Sequence, residues 1–173
     1  MEYLVRPESF AALEPEWWEL LGKCRSDSLF LTPAWQRAWA DGVAGGEGHQ
    51  PLAVRQDGRL VGVAPVHRVG SEVRFVADPD LCDYLDVLAL EGQEEGVWGA
   101  LLDYLAQQPW RTLDLTGVPE GSPTLQALAS HAGPRDLHVQ MERRDVSPWT
   151  ELPGSWDDYL GTLSKKDRHE LRR

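Results

Sequence analysis

Two apolar, β-branched runs joined by Asp57-Gly58 fill residues 51–69, and they predict a β-hairpin around which the rest of the chain packs. Asp-Gly accepts the positive φ angles of a tight type I′ turn, so the turn itself sets the register. Val61, Val63, Val66 and Val69 place apolar groups on both sides of the pleat, the pattern of a central strand covered on both faces. Pro65 cannot donate to a ladder, which predicts a bulge or lost pairing and a local splay of the sheet at that point. Before the hairpin, Tyr3–Val5 is a short strand, and Trp17, Leu20 and Leu21 recur at helical spacing in a helix from Pro15 to Lys23 with Pro15 in its first turn. Thr32-Pro33 opens a second helix that stops at Gly42, and the glycine-rich stretch from Val43 to Gln50 is expected to be a mobile loop.

After the hairpin, Glu72–Ala77 is a strand ended by Asp78-Pro79-Asp80, and a further strand runs from about Tyr84 to Leu90. Val97, Leu101, Leu102 and Leu105 form the inward face of a helix over Gly92–Gln107, closed by Pro109. Trp110–Thr116 is a strand, Ser122–His131 a short helix with Ser and Pro at its head, and Leu137–Val146 a strand, with a brief edge pairing at 148–151. Ser155 caps a helix over Trp156–Leu163 and Ser164 caps another, basic one. The order is a strand meander followed by alternating strands and helices, which predicts an α/β chain with a mixed, mostly antiparallel twisted sheet flanked by helices.

Composition narrows the function classes. The chain has 173 residues and a formal charge of −11, so phosphate partners are repelled, and neither nucleic-acid binding nor membrane insertion is expected. The charge is uneven: the last nine residues carry five Lys and Arg against Asp167 and Glu170, a net +3, which leaves −14 on the remainder. The N-terminus shows no basic stretch followed by an apolar core, which places the chain in the cytoplasm. Cys24 and Cys82 sit in apolar surroundings and read as buried free thiols. The five histidines have no paired metal spacing, and neither a nucleophile elbow nor a Walker loop occurs, so no metal site is expected.

Candidate chemistry lies near the strand at Tyr84–Leu90. Asp86 is a carboxylate among apolar neighbours, so it faces either a solvated groove or buried donors, the second being the commoner explanation. Asp83, Tyr84 and Asp86, with Lys165 and Arg168 of the basic helix, are the candidate groove residues for a substrate, and no catalytic residue is assigned. A glycosidase pair drawn from Asp78, Asp80, Asp83 and Asp86 is disfavoured, because two acids on one strand segment are usually capping and loop residues. Trp35 and Trp39 lie four apart on one helix face; sugar stacking is one reading, core packing the other and better one. The basic helix has one aliphatic residue, Leu171, and no C-cap, which reads as an interrupted element of a larger protein.

Several of these stretches together resemble one family: Phe30-Leu-Thr-Pro-Ala-Trp35, Asp57-Gly-Arg-Leu-Val-Gly62 with Pro65, Cys82-Asp-Tyr-Leu-Asp86, Leu152-Pro153 with Tyr159-Leu160, and Ser164-Lys-Lys-Asp-Arg-His-Glu-Leu-Arg-Arg173. They are similar to the N-terminal half of CelD-type (cellulose biosynthesis) acyltransferases of the GNAT superfamily, tandem GNAT proteins laid out like the Fem aminoacyl transferases. The resemblance implies a GNAT-like module over 1–154 and the helical start of a second, truncated module over 155–173. It implies acyl-CoA as the family's cofactor, and as partner a C-terminal GNAT module or a second copy of the chain. In that family the pyrophosphate is set on a helix N-terminus, which here corresponds to Leu90–Gly96. This stretch offers Glu91, Glu94 and Glu95, whose carboxylates complement the helix dipole and repel a pyrophosphate, so no cofactor binding is expected of this segment itself. The alternatives are a free-standing acyl-CoA-dependent GNAT acetyltransferase and a non-catalytic interaction domain whose acidic body takes a basic partner.

Overall fold

The computed structural model describes residues 2–42, 49–77 and 80–171. Asp57 and Gly58 hold φ angles of +50° and +84°, and the turn they make joins β2 (Leu52–Gln56) to β3 (Arg59–Ala64) with Gln56 opposite Arg59. β1 (Tyr3–Pro7) pairs antiparallel on the far side of β2, and β6 (Leu88–Ala89) pairs antiparallel with β3. The order of this first sheet is therefore β1-β2-β3-β6.

Pro65 ends it. Beyond that residue the chain continues as β4 (Val66–Val69), which pairs with β5 (Glu72–Phe75) instead of following β3, and β5 pairs in parallel with β7 (Thr112–Asp114). The missing N–H of proline thus falls where one sheet gives way to another, as its chemistry requires.

Strand β3 is covered on both faces. Val63 packs with Ala53, Leu60 and Leu88 against Leu13, Trp17, Leu20 and Leu21 of α1 (Phe10–Leu21). Val61 and Val54 face the opposite way, into a core with Val97, Trp98, Leu101 and Leu102 of α3 (Glu94–Leu105) and Ala127 of α4 (Pro123–Ala132). Val69 departs from the expected pattern and is exposed, because β4 lies outside this double-sided core.

Helix α1 begins earlier than its pattern suggested. Ser9 caps it, its Oγ accepting from the Ala12 N–H, and Pro15 lies inside the helix, not in its first turn. Pro15 sits on the exposed side, where water can satisfy the carbonyl that loses its partner. Helix α2 (Pro33–Gly42) begins as expected, with Thr32 Oγ1 accepting from the Trp35 N–H at 3.2 Å. Trp35 is half-buried in the core, its ring edge-on to Phe30 at 5.2 Å and its indole N–H donating to Cys82 Sγ at 3.4 Å. Cys24 and Cys82 are free thiols, and burial pushes the Cys24 thiol up to about 12. The expected loop at 43–48 and the break at 78–79 lie outside the described residues.

The chain divides into two compact units, Met1–Val139 and Gln140–Arg173. The expected strand at Leu137–Val146 and the edge pairing at 148–151 do not form. No strand runs alongside this stretch among the described residues, and Met141, Val146, Trp149 and Leu152 are exposed. In the second unit, Ser155 Oγ accepts from the Asp158 N–H to start α5 (Trp156–Thr162), and Ser164 does the same from Asp167 to start α6 (Lys165–Leu171). Among the described residues no helix is long and apolar enough to cross a membrane.

Candidate functional site

Strands β6 and β7 follow one another with α3 between them, yet they belong to different sheets.

The N-terminal end of α3 is acidic. Gly92 takes φ +82° to turn the chain, Gln93 precedes the helix without a side-chain cap, and Glu94 and Glu95 occupy its first turn. Carboxylates there complement the helix dipole and are favoured for that reason. Arg25 supplies a cation that sequence spacing concealed, since it comes from the far side of the chain: its Nε lies 3.2 Å from Glu91 Oε1 and 3.9 Å from Glu94 Oε1. Glu95 Oε2 accepts from Ser130 Oγ at 2.7 Å and lies 3.0 Å from His131 Nε2. Tyr3 covers the same turn, with its hydroxyl donating to Gln93 Oε1 at 2.5 Å. Gly96 is glycine because of that ring: a Cβ there would stand 2.1 Å from the Tyr3 oxygen.

These residues do not fit the pyrophosphate of an acyl-CoA. A phosphate group needs open amides and cations at a helix N-terminus. This one holds three carboxylates against a single arginine, with an aromatic ring over its first turn.

Asp86 lies two residues before β6. It is 1% exposed, and each of its oxygens has two donors: Thr124 Oγ1 at 2.6 Å and the Val87 N–H at 2.8 Å on Oδ1, Ser26 Oγ at 2.5 Å and Ser122 Oγ at 2.6 Å on Oδ2. Four short donors are what a buried carboxylate requires to remain in the core. Of the candidate groove residues, Asp86 therefore faces the interior, bonded to its own chain. Asp83 and Tyr84 are exposed, with the Tyr84 ring 6.5 Å from Phe30. Lys165 is exposed and Arg168 half-buried on α6, in the second unit.

Sequence reasoning missed Ser26, Ser122 and Thr124 as Asp86's partners; Ser122 was visible only as a helix cap, a role it also has through the Thr124 N–H at 3.0 Å. Gln36 was missed too. It is fully buried, and its Nε2 donates to the Phe30 carbonyl at 2.8 Å.

No protein-family profile and no curated protein sequence matches the chain. Among solved structures, an aminoglycoside acetyltransferase from an uncultured soil metagenomic sample superposes with a TM-score of 0.52 at 14% identity, over 87% of this chain and all of the other. The chain has the GNAT fold. A ribosomal-protein-alanine N-acetyltransferase from Brucella melitensis biovar Abortus 2308 gives a TM-score of 0.48 at 13% identity, over 86% of this chain and all of that one. At such identities the likeness is one of architecture, here mixed, largely antiparallel strand pairing with α1 against one face of β3 and α3 and α4 against the other.

Proposed function

We propose that this chain is the N-terminal GNAT module of a CelD-type acyltransferase, one that binds no acyl-CoA itself, shapes the acceptor groove and docks the catalytic half. The observation that carries this reading is the N-terminus of α3, where Glu91, Glu94 and Glu95 stand with Arg25 in the place a pyrophosphate takes in a working GNAT site. The acceptor side is left, in the first unit, to the exposed Asp83 and Tyr84, the Tyr84 ring lying 6.5 Å from Phe30. An acidic body and a basic helix in one chain suit a partner module or a second copy, and the residues 155–173 are where a second module of the family would begin.

The test is calorimetry with acetyl-CoA at low salt, where screening is weakest and any distant cation helps most. No heat beyond dilution is expected. A micromolar dissociation constant would overturn the reading and favour a free-standing acetyltransferase.

A further inference from the structure

Strand β1 is the outer strand of the first sheet, with β2 on one side and no described strand on the other. The Glu8 N–H donates to the Pro51 carbonyl at 3.1 Å, in line with the register that sets Pro7 opposite Leu52 and Tyr3 opposite Gln56. Antiparallel pairing alternates, so Leu4 and Arg6 turn their backbone groups to β2, while Tyr3 and Val5 turn theirs, N–H and C=O alike, to the open edge. The side chains alternate with them. Tyr3 and Val5 pack on the core beside α3, whereas Glu2, Leu4 and Arg6 line an open groove with Arg55 and Asp57, Leu4 being 54% exposed.

An edge like this is a template for another strand, and charged residues and proline are the usual means of keeping one away. Here their order does the opposite. Set antiparallel to itself with Leu4 against Leu4, the strand brings Tyr3 opposite Val5 and Glu2 opposite Arg6. The outward backbone groups then face one another, and each of the two Tyr3–Val5 pairs exchanges two hydrogen bonds. A slip by one pair in either direction sets Leu4 against Glu2 or against Arg6 instead, and the second of these also puts Pro7, which has no N–H, opposite Tyr3. We propose that two copies of this chain join here, β1 to β1 about a twofold axis at Leu4, which extends the first sheet from one copy into the other. The contact is isologous, so each favourable pair occurs twice. Arg6 gives its Nε to Glu8 at 2.9 Å, and its two terminal nitrogens carry the donors that the partner's Glu2 takes. The formal charge of −11 on each copy opposes association, but at about 0.15 M salt it is screened beyond about 8 Å, whereas the cross-strand pairs are in contact. A strand of five residues buries little, which makes the dimer weak. It does not depend on the proposed function, and acetyl-CoA calorimetry leaves it untouched.

Sedimentation velocity from about 5 µM to about 500 µM, at about 0.15 M salt, covers the range of a small interface. The parent is expected to pass from monomer to dimer. Glu2→Arg sets arginine against arginine and Arg6→Glu sets glutamate against glutamate, both at exposed positions, so each variant should associate about tenfold more weakly. Mixed in equal amounts, the two variants restore both opposite-charge pairs and should form a heterodimer as tight as the parent's dimer. Amide hydrogen exchange reads the register: Val5 should be protected at high concentration and not at low, with Leu4 and Arg6 protected at both. A parent that stays monomeric throughout the range overturns the proposal, as does a dimer that both variants leave intact or a mixture that associates no more tightly than its components. Should Arg6→Glu fail to fold beside Glu8, Glu2→Gln and Glu2→Arg decide instead: association that weakens in that order supports the β1 contact, and unchanged association overturns it.

Discussion

Arg55 offers the sharpest test of how the first sheet is tied to α1. Its guanidinium meets Glu8 through Nε–Oε1 at 2.8 Å and Nη2–Oε2 at 2.9 Å, and Glu16 through Nη2–Oε1 at 2.8 Å and Nη1–Oε2 at 3.0 Å. The arginine side chain is 12% exposed and that of Glu8 10%, so this pair is shielded from water, whereas Glu16 is 45% exposed and screened. Hydrogen bonds from Arg55 hold the Glu8 carboxyl at about 2 against an ordinary 4.5. That depression, at about 1.36 kcal/mol for each tenfold change in proton affinity, is worth about 3 kcal/mol at neutral pH. The sign follows from the depressed value: the stabilisation is complete above the unfolded value of 4.5 and drains away as pH falls towards about 2. By the same linkage about 1.4 kcal/mol remains at pH 3. Arg55→Met should therefore unfold about 3 kcal/mol more easily than the parent in urea at pH 7, and the gap should roughly halve at pH 3. A gap of equal size at both values would show that the arginine stem, by packing, holds the structure, and the electrostatic account would be wrong.

Two further outcomes follow from groups elsewhere in the first unit. Burial, with help from His49 and Arg74, holds the His67 imidazole down at about 4, so protonation opposes folding and the stability it contributes above pH 6.5 is lost as pH falls towards 4; His67→Gln should flatten that slope in a pH series of melting curves, and an unaltered slope would refute it. Trp35→Ala should cost about 3 kcal/mol in denaturant unfolding, the low end for a buried aromatic because the ring is half-exposed, and a variant that melts like the parent while losing sugar or acceptor binding would return the residue to a stacking role.

What could be read from sequence was mostly local. Asp57-Gly58 fixed its turn because two residues suffice to set two positive φ angles, and Thr32-Pro33 and Ser155 announced helix starts through caps that reach three residues. The acidic turn before Val97 was legible for the same reason. Pro15 was misplaced because proline marks a first turn only when nothing else caps earlier, and Ser9 does. Leu137–Val146 has the alternation of a strand, but alternation supplies no partner, and a strand is made by the edge beside it. The residues that complete the site come from afar: Tyr3 and Arg25 reach α3, and Ser26, Ser122 and Thr124 reach Asp86, across separations no periodicity records.

The pairing of β1 with β2 sets an order of events in folding. Tyr3 meets Gln56 only after the chain containing α1 and α2 has been closed into a loop, and β7 reaches β5 only across α3, whereas β2 and β3 are joined by two residues. Closing a long loop costs entropy before its contacts give anything back, so the hairpin is expected to form in the transition state and the terminal strand to dock afterwards. In a chevron experiment, Gly58→Ala, which strains the turn at φ +84°, should slow refolding and leave unfolding nearly unchanged. Val5→Ala on β1 should do the reverse, and a variant pair with these effects exchanged would place the nucleus elsewhere.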